Sequence, residues 1–314
     1  MSATQNKYNT PAKLHSNFAY KKFLGGLEDF FQKVLQDKMK VGIVGLGLIG
    51  GSLAKAYKAA GWEVYVCNRT RTTVDYAILS GTADGVLDEK TLPLCDIVHV
   101  SLYPDASIEY LKDNAPYFNK NGIVTDACGT KRKICEVGFA LAKEHGFTFV
   151  GGHPMAGTHF SGYKYSRATM FNNASMILVP PVFDDIALLD RTKQLLAPLG
   201  LKKIAVTNAE NHDRMIAYTS QLAHVVSNAY IKSPSAQSHK GYSAGSFRDL
   251  TRVAWLNEKM WTELFLENGD YLADEIELVA KNLQAYADAI RANDAEKLES
   301  LLREGRIAKE LSDS

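Results

Sequence analysis

The run Gly151-Gly152-His153-Pro154-Met155-Ala156-Gly157-Thr158-His159-Phe160-Ser161-Gly162 sets His153 and two hydroxyl residues, Thr158 and Ser161, among small turn formers. The apolar residues Phe147 to Val150 just before it read as a strand. His153 then falls at the carboxyl edge of a sheet, where open α/β folds bind their ligands. A histidine there can exchange a proton near neutral pH beside a redox cofactor.

A second run points to that cofactor. Gly45-Leu46-Gly47-Leu48-Ile49-Gly50 follows the apolar strand Lys40–Val44 and opens a helix expected over residues 48–60. In that setting the glycines serve a tight turn, close approach of a pyrophosphate, and close packing of helix on strand. Leu48 and Ile49 begin the helix, whose unpaired backbone N–H groups face the phosphates. An acid about 20 residues further on takes the ribose hydroxyl in NAD-binding folds. Here the second strand ends Cys67-Asn68-Arg69-Thr70, with no acid. Asn68 and Thr70 can donate to a 2′-phosphate and Arg69 can add a charged fork, which favours NADP over NAD. Ser101, closing the strand Asp96–Ser101, joins the cofactor set.

Three further segments hold polar groups that could serve a substrate. Asp126-Ala127-Cys128-Gly129-Thr130-Lys131 closes another strand and presents a hydroxyl and a cation beside the nicotinamide position. Between residues 212 and 228, Ser220, His224 and Asn228 recur at steps of four on an otherwise apolar helix, and such a stripe needs a cleft or partners. Arg248 and Arg252 lie four apart on one helix face. Each has a plainer reading: His224 as a satisfied core histidine, the arginines as salt-bridge partners, Lys131 as part of a solvated helix face.

The elements that must position these groups follow from the hydropathy pattern. Strands at Lys40–Val44, Glu63–Cys67, Asp96–Ser101, Gly122–Asp126, Phe147–Val150, Met176–Val179 and Lys203–Val206 alternate with helical segments, predicting a mostly parallel sheet covered on both faces. After about Asn208 the pattern is helical throughout. The stripe Leu272, Ile276, Val279, Leu283, Tyr286, Ile290 is either core packing or, as favoured here, a subunit seam. The expected division is an N-terminal extension over 1–38 with an amphipathic helix from Phe18 to Lys38, a dinucleotide-binding domain over 39–206, and a helical domain over 207–314. A net charge of +1 over 314 residues excludes bulk attraction to nucleic acid or an anionic membrane, so any substrate charge is met locally. Four cysteines without CxxC or metal-ligand spacing read as free thiols in a reducing cytoplasm, with no metal. No apolar run reaches transmembrane length and no signal peptide with an apolar centre is present.

Taken together and in this order, GLGLIGGSLA, DACGTK, GGHPMAGT and FRDLTRVA resemble the prephenate/arogenate dehydrogenase family over most of the chain, from about Lys40 to beyond Trp261. The resemblance implies an α/β fold, a Rossmann-like domain followed by an all-α dimerisation domain. It implies oxidative decarboxylation of a cyclohexadienol with hydride passing to NAD(P), in tyrosine biosynthesis. His153 would take the proton of the ring 4-hydroxyl, and Thr130, where many relatives have serine, would orient that hydroxyl and His153. His224 would bind substrate, and Arg252 would hold a carboxylate bidentately, with Arg248 and Lys131 as further cations and Thr158 completing the substrate set. His159 stands where many relatives have an acid, and a histidine sits better beside the keto-acid side chain of prephenate than beside the ammonium of arogenate. The expected protein is a cytoplasmic homodimer using NADP. The other readings are an arogenate dehydrogenase and a non-catalytic NADPH-binding sensor dimer.

Overall fold

Short β-branched runs separated by turn residues form one eight-stranded sheet in the computed structural model, which describes residues 38–158 and 160–313. The helix expected over residues 18–38 falls almost wholly outside the described residues, as does His159. The strands are β1 (Lys40–Val44), β2 (Glu63–Cys67), β3 (Gly85–Val86), β4 (Ile97–Val100), β5 (Ile123–Asp126), β6 (Thr148–Pro154), β7 (Ser175–Val179) and β8 (Lys203–Val206). Their order is β3-β2-β1-β4-β5-β6-β7-β8. All neighbours are parallel except β6 and β7. The reversal between β1 and β4 opens a crevice at the carboxyl ends of the strands, the usual ligand position of such sheets.

Both faces of the sheet are covered. Helices α1 (Leu48–Ala59), α2 (Arg71–Leu79) and α5 (Ile186–Leu195) pack on one face, and α3 (Pro104–Asn114) and α4 (Arg132–His145) on the other. Adjacent strand residues accordingly feed opposite cores: Ile97, Ile123 and Val150 join one, Val98, Val124 and Phe149 the other. Two-sided burial explains why these strands read as continuous apolar runs rather than as alternation.

Two departures from the sequence reading concern the strands. The two-residue β3 carries too little pattern to be read. The strand expected over 147–150 runs on to Pro154, because β6 changes partner. Thr148 to Val150 pair with β5, whereas Gly151 to Pro154 pair with the antiparallel β7, His153 opposite Ile177. His153 thus stands on a strand, not on the turn after it.

After Val206 the described chain is helical: α6 (Ala209–Ile216), a π-helical turn (Ala217–Leu222) running into α7 (Ala223–Ile231), α8 (Gly245–Thr251), α9 (Glu258–Glu267), α10 (Gly269–Arg291) and α11 (Ala295–Asp313). The stripe on α10 divides. Leu272 is buried against Ala217 and Leu222, with Ile276 and Val279 packed beside them, whereas Leu283 and Ile290 are exposed.

Candidate active site

The glycine turn between β1 and α1 is built for close approach. Gly45 has φ +87°, and a Cβ there would lie 2.6 Å from the Ser101 carbonyl oxygen. A Cβ on Gly50 would fall 1.8 Å from the Gly45 carbonyl oxygen, so no other residue fits. A Cβ on Gly47 would meet nothing within 4 Å, which leaves open space over the helix start. The first turn of α1, beginning at Leu48 and Ile49, holds no acid to repel a phosphate. Beside the turn the Ser101 hydroxyl oxygen is buried without a hydrogen-bond partner among the described residues, an orphan that a bound dinucleotide would satisfy. Asn68 is partly committed to the protein: its Oδ1 accepts from Leu46 N at 3.0 Å and its Nδ2 donates to Thr70 O at 3.3 Å. Arg69 and Thr70 are exposed at the rim. These residues fit a nicotinamide dinucleotide: the open space at Gly47 and the acid-free helix start leave room for its phosphates.

The histidine end of the site hangs on Asp126, the last residue of β5. Its Oδ1 accepts from Gly152 N at 2.9 Å and its Oδ2 from Cys128 N at 2.8 Å, so one carboxylate ties the DACGTK turn to the strand bearing His153. The paired glycines allow the approach. A Cβ on Gly152 would lie 2.6 Å from Asp126 O, and one on Gly151 2.5 Å from Cys135 Sγ. Lys131 Nζ also donates to Asp126, and both side chains have 0% exposure. Burial opposes the Lys131 charge, but Asp126 outweighs it and raises the lysine above its ordinary value. This corrects the sequence expectation: Lys131 is neither a solvated residue nor a cation open to substrate, because its charge is spent on Asp126.

His153 meets a partner that sequence reasoning did not single out. Its Nδ1 lies 2.9 Å from His212 Nε2, and His212 Nδ1 lies 2.7 Å from Asp213 Oδ1. Burial, then His212 and Lys131, hold His153 well below the ordinary histidine value, so it is uncharged at neutral pH. Burial also lowers His212, against the pull of Asp213. Burial pushes Asp213 up, but hydrogen bonds from His212, Arg132 N and Lys131 N prevail and leave it below the usual carboxylate range. The signal in the sequence was the polar pair His212-Asp213 midway along a short helix rich in polar residues, where such a pair is commonplace.

Thr130 differs from expectation in its partner. Its hydroxyl donates to Glu267 Oε2 at 2.6 Å, not to His153, so α9 closes over the DACGTK turn. Arg132, the next cation, bonds Asp213 on α6 and Asp270 and Asn268 at the start of α10. His224 and Arg252 form a second group. His224 Nδ1 lies 2.8 Å from Val253 O, its ring centroid is 4.0 Å from that of Trp261, and burial, with Arg252 nearby, lowers its pKa. Arg248 and Arg252 are exposed, with their guanidinium groups available to an anion. Thr158 is exposed on the loop after β6, its hydroxyl accepting from Phe160 N at 3.3 Å. Ser220, in the π-helical turn, precedes His224 by one turn; such turns recur at functional sites.

The fold carries a dinucleotide turn, an uncharged histidine and exposed arginines, and known proteins share most of the chain around them. Residues 53–205 match the model for the prephenate dehydrogenase nucleotide-binding domain, and residues 208–304 that for the prephenate dehydrogenase dimerization domain. A prephenate dehydrogenase of Lactococcus lactis is 31% identical over 85% of this chain and 75% of its own length. Among solved structures, prephenate dehydrogenase from Aquifex aeolicus in complex with hydroxyphenyl propionate and NAD+ superposes with a TM-score of 0.73 at 28% identity, covering 88% of this chain and 99% of that one. Arogenate dehydrogenase from Synechocystis gives 0.73 at 27% identity, over 87% and 100%. On both domains and on the order of its motifs, the chain belongs to the prephenate dehydrogenase family.

Proposed function

We propose that this protein catalyses oxidative decarboxylation of prephenate to 4-hydroxyphenylpyruvate and carbon dioxide, with NADP+ as hydride acceptor. The observation that carries the reading is His153: an uncharged imidazole at the carboxyl edge of the sheet that also carries the dinucleotide turn, three strands along from β1. When bound, the dinucleotide accepts the hydride. His153 takes the proton of the ring hydroxyl as hydride leaves the same carbon, since the forming carbonyl would otherwise carry a full positive charge. His224 binds substrate, and Arg252 holds a carboxylate, with Arg248 beside it and Thr158 on the loop above, while Thr130, its hydrogen committed to Glu267, ties the DACGTK turn to α9. Prephenate carries two carboxylates, and of the three cations expected to meet them Lys131 is committed to Asp126 while Arg248 and Arg252 are exposed.

The choice of NADP rests on Asn68-Arg69-Thr70 without an acid, although the Aquifex neighbour carries NAD+. Homodimerisation is supported by the dimerization-domain match and by the apolar residues Leu283 and Ile290 that α10 leaves exposed. Arogenate remains the second reading, favoured by the Synechocystis likeness. Purified protein is assayed for NADPH formation with prephenate and NADP+, with arogenate and NAD+ in parallel. The highest kcat/KM is expected for prephenate with NADP+. No turnover of either compound, despite NADPH binding, would leave the sensor.

A further inference from the structure

We propose that His212 and Asp213 are positioning residues that lock His153 into the one tautomer able to act as a base. The inference deepens the proposed function and rests on it for the role of His153. Asp213 accepts from two backbone groups that can only donate, Lys131 N at 2.7 Å and Arg132 N at 2.9 Å. The carboxylate is therefore an acceptor throughout, and His212 Nδ1, 2.7 Å away, carries the hydrogen between them. A neutral His212 then presents only a lone pair at Nε2. Across the 2.9 Å contact, His153 Nδ1 must be the donor. That leaves the lone pair of His153 on Nε2, the nitrogen not spent on His212. Each link permits one direction only.

The proton balance follows. The substrate hydroxyl loses its proton to His153 Nε2, and His153 becomes an imidazolium whose Nδ1–H still donates to His212. The Asp213 carboxylate at the far end of the chain offsets the new positive charge, so no heavy atom has to move. The charged groups facing the pair are Arg132, which reaches Asp213, and the buried Lys131–Asp126 pair beneath β6. The latter is neutral as a unit.

The arrangement joins the two parts of the molecule at the proton-transfer site. His153 belongs to the sheet, His212 and Asp213 to α6, and Asp213 meets the start of α4 through Lys131 N and Arg132 N. Capping α4 accounts for the carboxylate alone. It does not account for His212, which has 2% exposure and whose Nε2 would be a buried acceptor without its partner.

The test pairs imidazole 15N NMR with kinetics. In the wild-type protein without substrate, His153 is expected to show a protonated Nδ1 and an unprotonated Nε2 at neutral pH. The reverse assignment would overturn the proposal whatever the variants do. His212→Leu keeps an apolar filler and removes the acceptor. It is expected to mix the His153 tautomers and lower kcat about tenfold to a hundredfold with KM nearly unchanged. His212→Gln offers an amide oxygen and is expected to recover most of the kcat and the single tautomer. Equal kcat and an unchanged tautomer in His212→Leu, with only a lower Tm, would reduce His212 to a structural residue and sink the idea. If the wild type turns over no prephenate, the proposed function fails, yet the NMR assignment still decides the pair.

Discussion

Two of the cations that the sequence offered to substrate, Lys131 and Arg252, are driven apart by burial. Lys131→Met would leave Asp126 charged and unpaired in the interior, at a cost of about 3–5 kcal/mol in stability. Arg252→Gln touches an exposed side chain, so unfolding should be nearly unchanged and KM for prephenate should rise. Urea unfolding alongside steady-state kinetics separates the two, and a raised KM without lost stability in Lys131→Met would refute its structural assignment. His153→Asn should lower kcat by about two to four orders of magnitude, the usual worth of a positioned base. The pH profile carries the same logic. His153 is held below its ordinary value, so the base stays neutral as pH falls through 6.5 and is lost only well beneath it. An acid limb of kcat/KM at or above 6.5 would mean that a different group acts as base.

At the scale of elements, the site depends on how closely β5 and β6 approach at Gly152. A methyl there would lie 2.6 Å from both Asp126 O and Thr125 Oγ1, so Gly152→Ala must push the strands apart and carry His153 with them. Lower Tm together with lower kcat is expected; an unchanged kcat would show that the strand tolerates the shift. The glycine pair was visible in the sequence, as were the dinucleotide turn and seven of the strands, because each is written in local pattern. The extension of β6 was not, since it comes from pairing with β7, some 25 residues further along the chain. His212-Asp213 was hidden for the same reason: a polar pair within a helix joins His153 only when the fold sets it against a strand 59 residues away in sequence. Thr130 was singled out by its motif, but its Glu267 partner is 137 residues distant and no local pattern announces it.

Across the whole molecule, the helical part is clamped to the sheet through Arg132, whose guanidinium reaches Asp213, Asn268 and Asp270. Next to this clamp, and also deep in the sheet, the fold buries histidines in their neutral form. Burial lowers His99 to about 3, where its Nε2 lies 2.9 Å from the Tyr57 hydroxyl, and lowers His153 and His212 as well. In the unfolded chain all three regain a pKa of about 6.5. Below that pH the unfolded state binds protons that the folded state refuses, so stability falls as pH falls, by up to about 1.4 kcal/mol per pH unit for each histidine still neutral in the fold. For His99 the window runs from about 6.5 down to about 3; above 6.5 both states are neutral and the contribution vanishes. Chemical unfolding between pH 7.5 and 5 should therefore show stability flat at the upper end and declining below. His99→Gln keeps a polar partner for Tyr57 but cannot titrate, and its decline should be shallower by the share of one proton. An identical slope in that variant would mean that His99 is protonated in the folded protein and that the acid sensitivity arises elsewhere.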